Sequence, residues 1–371
     1  MRRYLSLTVF GLLILIAGCF PIELDVSEGR VVIARAEGFF TFQVANGKLT
    51  KVIGNELGEP VYARFSPDGK ELLAIVKAKD GFQKFEFYTV PVAGGKPRKV
   101  FQGEKTAYVR YSPDGTQLAV SLVPSREDPV LKTEVPEVQL VNVKDGKTKS
   151  LAQKVGVLTR WFPDSKRLLV FQIVSKVKDD RFAGNIAAID ISSGKITPIC
   201  SAVADKSFYF DLSPDGKTVI IAGHAAGKVG TDLSQKEAFD KKLFQISVAT
   251  GEVKETNKKA EFAIFSPDGK RLAIGTEPEG FTLDRVNVEI CELGKLDESL
   301  LVAESYKGLA LGGGGGMFPG WIDNESLYYF DQKAVYGTEA KSVSLFVVKT
   351  DGKKRKNVQP VIDLAANAEE Q

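Results

Sequence analysis

Three arginines fall at one position of a recurring pattern: Arg64, Arg110 and Arg160 each stand immediately before an aromatic residue, Phe65, Tyr111 and Trp161. Guanidinium groups that converge from separate segments can hold an anion or a partner's carboxylate through bidentate forks. The same position carries Asp211 in the next segment and Asp25 in the first. A structural role competes with the binding one, in which each arginine pairs with an acid of a neighbouring segment, such as a turn aspartate. His224 and Lys228 complete the set of candidate ligand- or partner-contacting residues. His224 is the only histidine, and no second histidine or two-cysteine pair exists to build a metal site or a catalytic triad around it. The stretch Gly223-His224-Ala225-Ala226-Gly227-Lys228-Val229 has too short a glycine spacing for a phosphate loop, and Val229 stands where a hydroxyl would have to reach magnesium. The sequence therefore predicts no metal, no cofactor and no catalytic residue.

What positions these residues is a repeat. Phe65-Ser66-Pro67-Asp68-Gly69-Lys70 returns around Ser112-Pro113-Asp114-Gly115, Phe162-Pro163-Asp164-Ser165, Ser213-Pro214-Asp215-Gly216 and Ser266-Pro267-Asp268-Gly269. Weaker copies lie at Ser27-Glu28-Gly29-Arg30 and Asp323-Asn324-Glu325-Ser326, which brings the count to seven. A short strand precedes each phrase and an apolar strand such as Leu72-Leu73-Ala74-Ile75-Val76 follows it. An alternating strand comes next, then a glycine hairpin turn (Gly47, Gly94, Gly146, Gly194, Gly251, Gly294, Gly352) and a polar outer strand. Proline, aspartate and glycine suit successive positions of a tight turn, so the recurrent aspartates read as turn-makers. Four antiparallel strands repeated seven times predict an all-β chain, a seven-bladed β-propeller of four-stranded blades, with six or eight blades as alternatives. Closure of the ring is open at this stage: residues 358–364 could supply the inner strand of the first blade in place of the Val26 copy.

The Ser-Pro-Asp-Gly-Lys phrase, followed by Leu-Ala or Leu-Leu, resembles the TolB-type, WD-like propeller repeat, and the resemblance covers essentially the whole chain after residue 19. It implies the propeller fold and leaves function open, because propellers of this kind serve as scaffolds, as partner-binding modules and as gates on peptidases. The chain has no room for the extra α/β domain of TolB itself and carries one blade more.

Residues 1–18 read as a lipoprotein signal peptide. Arg2 and Arg3 precede an apolar run over residues 5–16, too short for a permanent span, and the run ends in Ala17-Gly18-Cys19, which resembles a lipobox. Cys19 would then be the lipid-bearing first residue of a single propeller domain, 19–371, with a polar tail from about 365. This places the protein in the cell envelope, held to the membrane by its N-terminal lipid, and on the periplasmic face of the outer membrane if the cell has one. Loss of Arg2 and Arg3 takes the basic count from 50 to 48 against 47 acids, so no nucleic-acid partner is expected. Cys200 and Cys291 fall in different blades and different strand layers, which argues against a disulfide.

Connections between second and third strands, and between blades, share one face of such a disc, and here they are long: 123–137, 174–184, 223–242, 276–286, 305–320 and 331–342. The 223–242 loop has capping-box spacing at Ser234-Gln235-Lys236-Glu237, which predicts a short helix. Residues 312–316 are five consecutive glycines, read as a linker or as a flap at the channel mouth. Long loops on a rigid scaffold are where binding residues concentrate. The expectation is a non-enzymatic, monomeric envelope scaffold that binds a protein or peptide through its long-loop face and channel mouth. The alternative is a propeller lyase or hydrolase acting on an anionic glycan or peptide.

Overall fold

The computed structural model describes residues 24–79, 84–123, 127–178, 181–205, 208–233, 241–278, 285–306, 319–334, 341–351 and 362–363. Among these, the chain is all β and builds seven antiparallel sheets in succession, a seven-bladed β-propeller as the repeat predicts. No helix among the described residues is long and apolar enough to cross a membrane. Cys19, the signal segment, the helix expected at 234–237, the five glycines and the polar tail lie outside the described residues.

Blade 2 shows how the repeat makes a blade. Its strands run Glu59–Phe65, Glu71–Lys77, Lys84–Pro91 and Arg98–Glu104, paired in that order from the axis outward. The second strand is fully buried from Leu72 to Val76, so it shows no alternation in hydrophobicity. The period of two is still present, divided between two cores. Leu73 and Ile75 pack with Val109, Leu118 and Val120 of blade 3, whereas Leu72, Ala74 and Val76 pack with Val32, Phe39 and Ile53 of blade 1. A strand covered on both faces reads as a continuous apolar run.

The tight turns are self-satisfied. The Ser66 hydroxyl donates to Asp68 Oδ1 at 2.6 Å and accepts the Glu71 N–H at 2.9 Å, and Asp68 Oδ1 takes the Lys70 N–H at 3.2 Å. Blades 5 and 6 repeat the serine–aspartate bond at 2.6 Å. In blade 4 the glycine is replaced by Ser165 at φ 56°, whose hydroxyl accepts the Asp114 N–H of the preceding turn at 3.1 Å. Gly216 has φ +72°, and a Cβ there would lie 2.9 Å from Pro163 Cδ of the preceding turn, so the position needs both the left-handed backbone and the missing side chain.

Blade 1 takes Val26–Ser27 as its inner strand, while Ile362–Asp363 forms the outermost strand of blade 7. The first and last blades are thus each contiguous in sequence and share no strand. The ring closes through side chains instead: Val31, Ile33 and Phe42 pack against Tyr328, Phe330 and Leu345, and the Tyr328 hydroxyl donates to the Leu24 carbonyl at 3.0 Å.

Blade 4 departs from the others. Its second strand, Arg167–Lys178, is 12 residues long against 6 or 7 in blades 1, 2, 3, 5 and 6. With the third strand, Arg181–Asp190, it forms a hairpin whose pairing continues past Ile173 and Gly184 through Ser175–Ala183, Lys176–Phe182 and Lys178–Arg181, an extension of roughly 10 Å at about 3.3 Å per residue. The described part of the stretch 174–184, expected to be a loop, is therefore strand, with two register shifts. The 223–242 insertion of blade 5 contributes Ala225–Gly227, which crosses to the outer strand of blade 4 and pairs with Ser201–Val203 as a fifth strand.

Candidate functional site

The inner strand of each blade runs from the long-loop face to its tight turn, so the residue before the repeated aromatic sits at the tight-turn end of the channel. Arg64, Arg110, Arg160 and Asp211 are brought together there, on the side of the disc opposite the long loops.

Arg160 and Asp211 form the centre of the arrangement. Arg160 Nε donates to Asp211 Oδ1 at 2.6 Å, Nη1 to the Tyr108 hydroxyl at 2.6 Å and to the Thr159 carbonyl at 3.1 Å, and Nη2 to the Tyr209 hydroxyl at 2.8 Å. Asp211 turns its second oxygen to the next inner strand and accepts the Phe265 N–H at 3.0 Å. Asp25 does the same between blades 1 and 2: Oδ2 accepts the Phe65 N–H at 2.6 Å, and Oδ1 lies 3.5 Å from Arg64 Nη1. Each aspartate therefore joins a guanidinium to the backbone of a neighbouring blade. These pairs match the structural alternative raised by the sequence, with the difference that the acids are the channel aspartates and not the turn aspartates.

Aromatic rings fill the space between the charges. Arg64 lies over Tyr62 at 5.1 Å and over Tyr108 at 5.6 Å, and Arg160 lies over Tyr209 at 5.4 Å. Arg110 donates from Nε to the Tyr108 hydroxyl at 2.5 Å and is half-buried, whereas Arg64 and Arg160 are buried. Burial alone would lower the Arg160 pKa, and Arg110 pushes the same way as a like charge. Tyr108, Tyr209 and Asp211 outweigh both, and the guanidinium is held above its ordinary value. Two tryptophans complete the lacing: Trp161 Nε1 donates to the Arg110 carbonyl at 3.2 Å and Trp321 Nε1 to the Ile264 carbonyl at 3.1 Å.

Sequence reasoning placed the arginines and Asp211 in one column and missed the tyrosines. The signal for them was present, since Tyr62, Tyr108 and Tyr209 each stand two residues before a column residue and a strand puts i and i+2 on one face.

His224 and Lys228 lie elsewhere, in the blade 5 insertion that crosses to blade 4. His224 Nε2 is 2.7 Å from Asp205 Oδ2, and Nδ1 is buried with no hydrogen-bond partner among the described residues. Because Asp205 follows the outer strand of blade 4 and His224 precedes Ala225, the pair pins the crossing strand at its start. Lys228 is exposed just beyond it. On the other side of the blade 4 hairpin, the blade 3 connection forms a small hairpin, Glu127–Asp128 with Thr133–Glu134. It rests on blade 4 through Leu131 and Val135, and Lys154 reaches Asp128 at 2.9 Å. The connections of blades 3, 4 and 5 thus form one raised body on the long-loop face. Cys200 and Cys291 are free and buried, and burial pushes each thiol up to about 12. Among the described residues no group of three or more His, Cys, Asp and Glu side chains is placed to hold a metal ion.

No protein-family model and no curated protein matches this chain. Solved structures do. An oligogalacturonate lyase in complex with manganese superposes with a TM-score of 0.62 at 12% identity, over 89% of both chains. An oligogalacturonate lyase from Vibrio parahaemolyticus gives 0.60 at 10% identity, over 90% of both. TolB from Acinetobacter baumannii gives 0.48 at 15% identity, over 86% of this chain and 76% of that one. At these identities the likeness is one of fold, the β-propeller.

Proposed function

We propose that this chain is a non-enzymatic, lipid-anchored β-propeller of the cell envelope that binds a protein or peptide through its long-loop face and the channel mouth on that side. The observation that carries the reading is the state of the channel arginines. Arg64 and Arg160 are buried against Asp25 and Asp211 and against tyrosine rings, so an incoming anion would have to displace partners already in hydrogen-bond or ion-pair contact. The long-loop face, by contrast, carries the described connections of blades 3 to 5 with exposed side chains, opposite a face of tight turns. The apolar run at residues 5–16 and Cys19 supply the envelope part of the reading.

Two measurements test it. Metabolic labelling with a fatty acid is expected to mark the wild type and to leave Cys19→Ser unmarked; label on both variants, or on neither, removes the anchor. Affinity capture from detergent-solubilised envelopes is expected to recover a discrete partner, and recovery of none above background counts against a scaffold.

A catalytic reading, a lyase or hydrolase on an anionic glycan or peptide, draws on the half-buried Arg110 and its bond to the Tyr108 hydroxyl, a guanidinium beside a phenol that can serve as an acid or base. It predicts turnover of a uronate polymer or an acidic peptide by the purified protein that Arg110→Ala abolishes.

A further inference from the structure

The outer strand of a propeller blade is a sheet edge, and folded proteins blunt such edges with lysine or cover them. Blades 1, 2, 3 and 5 use basic residues: Lys48 and Lys51, Arg98 and Lys99, Lys149, and Lys254 with Lys258. Blade 4 has an uncharged outer strand, Ile196–Ala204, and the chain covers it with its own fifth strand. Among the described residues blade 6 has neither device. Its outer strand, Ser299–Tyr306, contains no lysine or arginine and is the last strand of its sheet among the described residues. A register shift opposite Val288 and Glu289 turns Val302 into the core and leaves Leu300 and Leu301 side by side at 48% and 47% exposure, among the few large apolar side chains so exposed.

We infer that the outer edge of blade 6 is a second binding site, which takes an extended peptide with an apolar centre and basic flanks as a fifth strand. The mode is strand addition, in which main-chain hydrogen bonds supply affinity and side chains supply choice; blade 4 shows the same pairing made within the chain. The flanks follow from charge. Asp297 and Glu298 precede the two leucines and Glu304 follows them, with the exposed Lys295 3.7 Å from Glu298 and the half-buried Arg285 3.1 Å from Glu304 as partners. Exposed pairs of this kind contribute little and exchange readily. The same charges disfavour a second copy of this chain. Antiparallel self-pairing about Leu301 sets Glu298 opposite Glu304, parallel self-pairing sets each acid beside its own copy, and like charges directly opposite are destabilising.

The test uses the full chain and two end-capped, fluorescent probe peptides, Lys-Lys-Val-Thr-Val-Thr-Val-Lys-Lys and its analogue with glutamate at all four lysine positions. The lysine probe is expected to bind about tenfold or more tighter than the glutamate probe and to slow amide hydrogen exchange across residues 300–304. Leu301→Lys, which blunts the edge as the other blades do, is expected to lose binding of both. Glu298→Lys/Glu304→Lys keeps the leucines and is expected to reverse the preference, which reads the site independently of whether Leu301→Lys folds. Equal affinity for the two probes, lysine-probe binding that survives in folded Leu301→Lys, or protection confined to other segments overturns the inference. So does concentration-dependent self-association that Leu301→Lys abolishes, which would assign the edge to a second copy. The site is separate from the long-loop face, so loss of either leaves the other standing.

Discussion

At the residue scale the decisive group is Asp211, which satisfies Arg160 with one oxygen and the Phe265 N–H with the other. Removing it strands a buried guanidinium and a backbone donor together. Asp211→Ala is expected to cost about 3–5 kcal/mol in urea unfolding, the usual toll for breaking one side of a buried pair. Arg160→Met/Asp211→Leu is expected to recover much of that, because an apolar pair leaves no uncompensated charge. The turn aspartates act differently. In Asp68, Asp215 and Asp268 the serine hydroxyl two residues earlier is the largest influence, and it holds each carboxyl below its ordinary value of 3.8. A carboxyl that protonates at lower pH when folded contributes stability that is fully present above the unfolded value and lost as pH falls through the folded one. The melting temperature is therefore expected to be insensitive to these groups at neutral pH and to fall below about pH 4. A Ser66→Ala/Ser213→Ala/Ser266→Ala variant should show a lower plateau and a shallower acid limb. The column that holds Arg64, Arg110, Arg160 and Asp211 was legible by laying the repeats over one another. The pairing of Arg160 with Asp211 was not, because it depends on which side chains meet across a blade boundary.

At the scale of elements, the tight turn is both a chain reversal and a packing unit. Gly216 and Gly47 have nearly the same φ, +72° and +71°, but a Cβ at Gly216 meets Pro163 while one at Gly47 meets nothing within 4 Å. Gly47→Ala is expected to cost about 1–2 kcal/mol from backbone strain alone. Gly216→Ala should cost about 1–3 kcal/mol more, the usual range for overpacking, and chemical denaturation of the two variants separates the terms. The blades themselves were readable because turn chemistry and apolar runs recur in the same order every 46–53 residues. Two features were not. Residues 174–184 carry little apolar signal because that part of the blade 4 hairpin leaves the disc, so an extended strand reads as a loop. The fifth strand at Ala225–Gly227 has no β-branched residue and is stabilised by a pairing with blade 4, which local sequence does not encode.

At the scale of the molecule, the two faces of the disc differ in kind. One is a ring of self-satisfied turns over a channel end where arginines, aspartates and tyrosines hold one another. The other carries the raised connections of blades 3 to 5, with Lys132, Lys176 and Lys228 exposed on them. Partners are proposed to engage this second face. A photo-crosslinking side chain placed, one at a time, at Lys132, Lys176 and Lys228 on the long-loop face and at Lys70 and Lys217 on the tight-turn face, followed by irradiation of intact cells, distinguishes the two faces. Discrete adducts of common mass from the long-loop positions, with none from the turns, are predicted. Adducts from Lys70 and Lys217 alone, or from no position, would contradict the account.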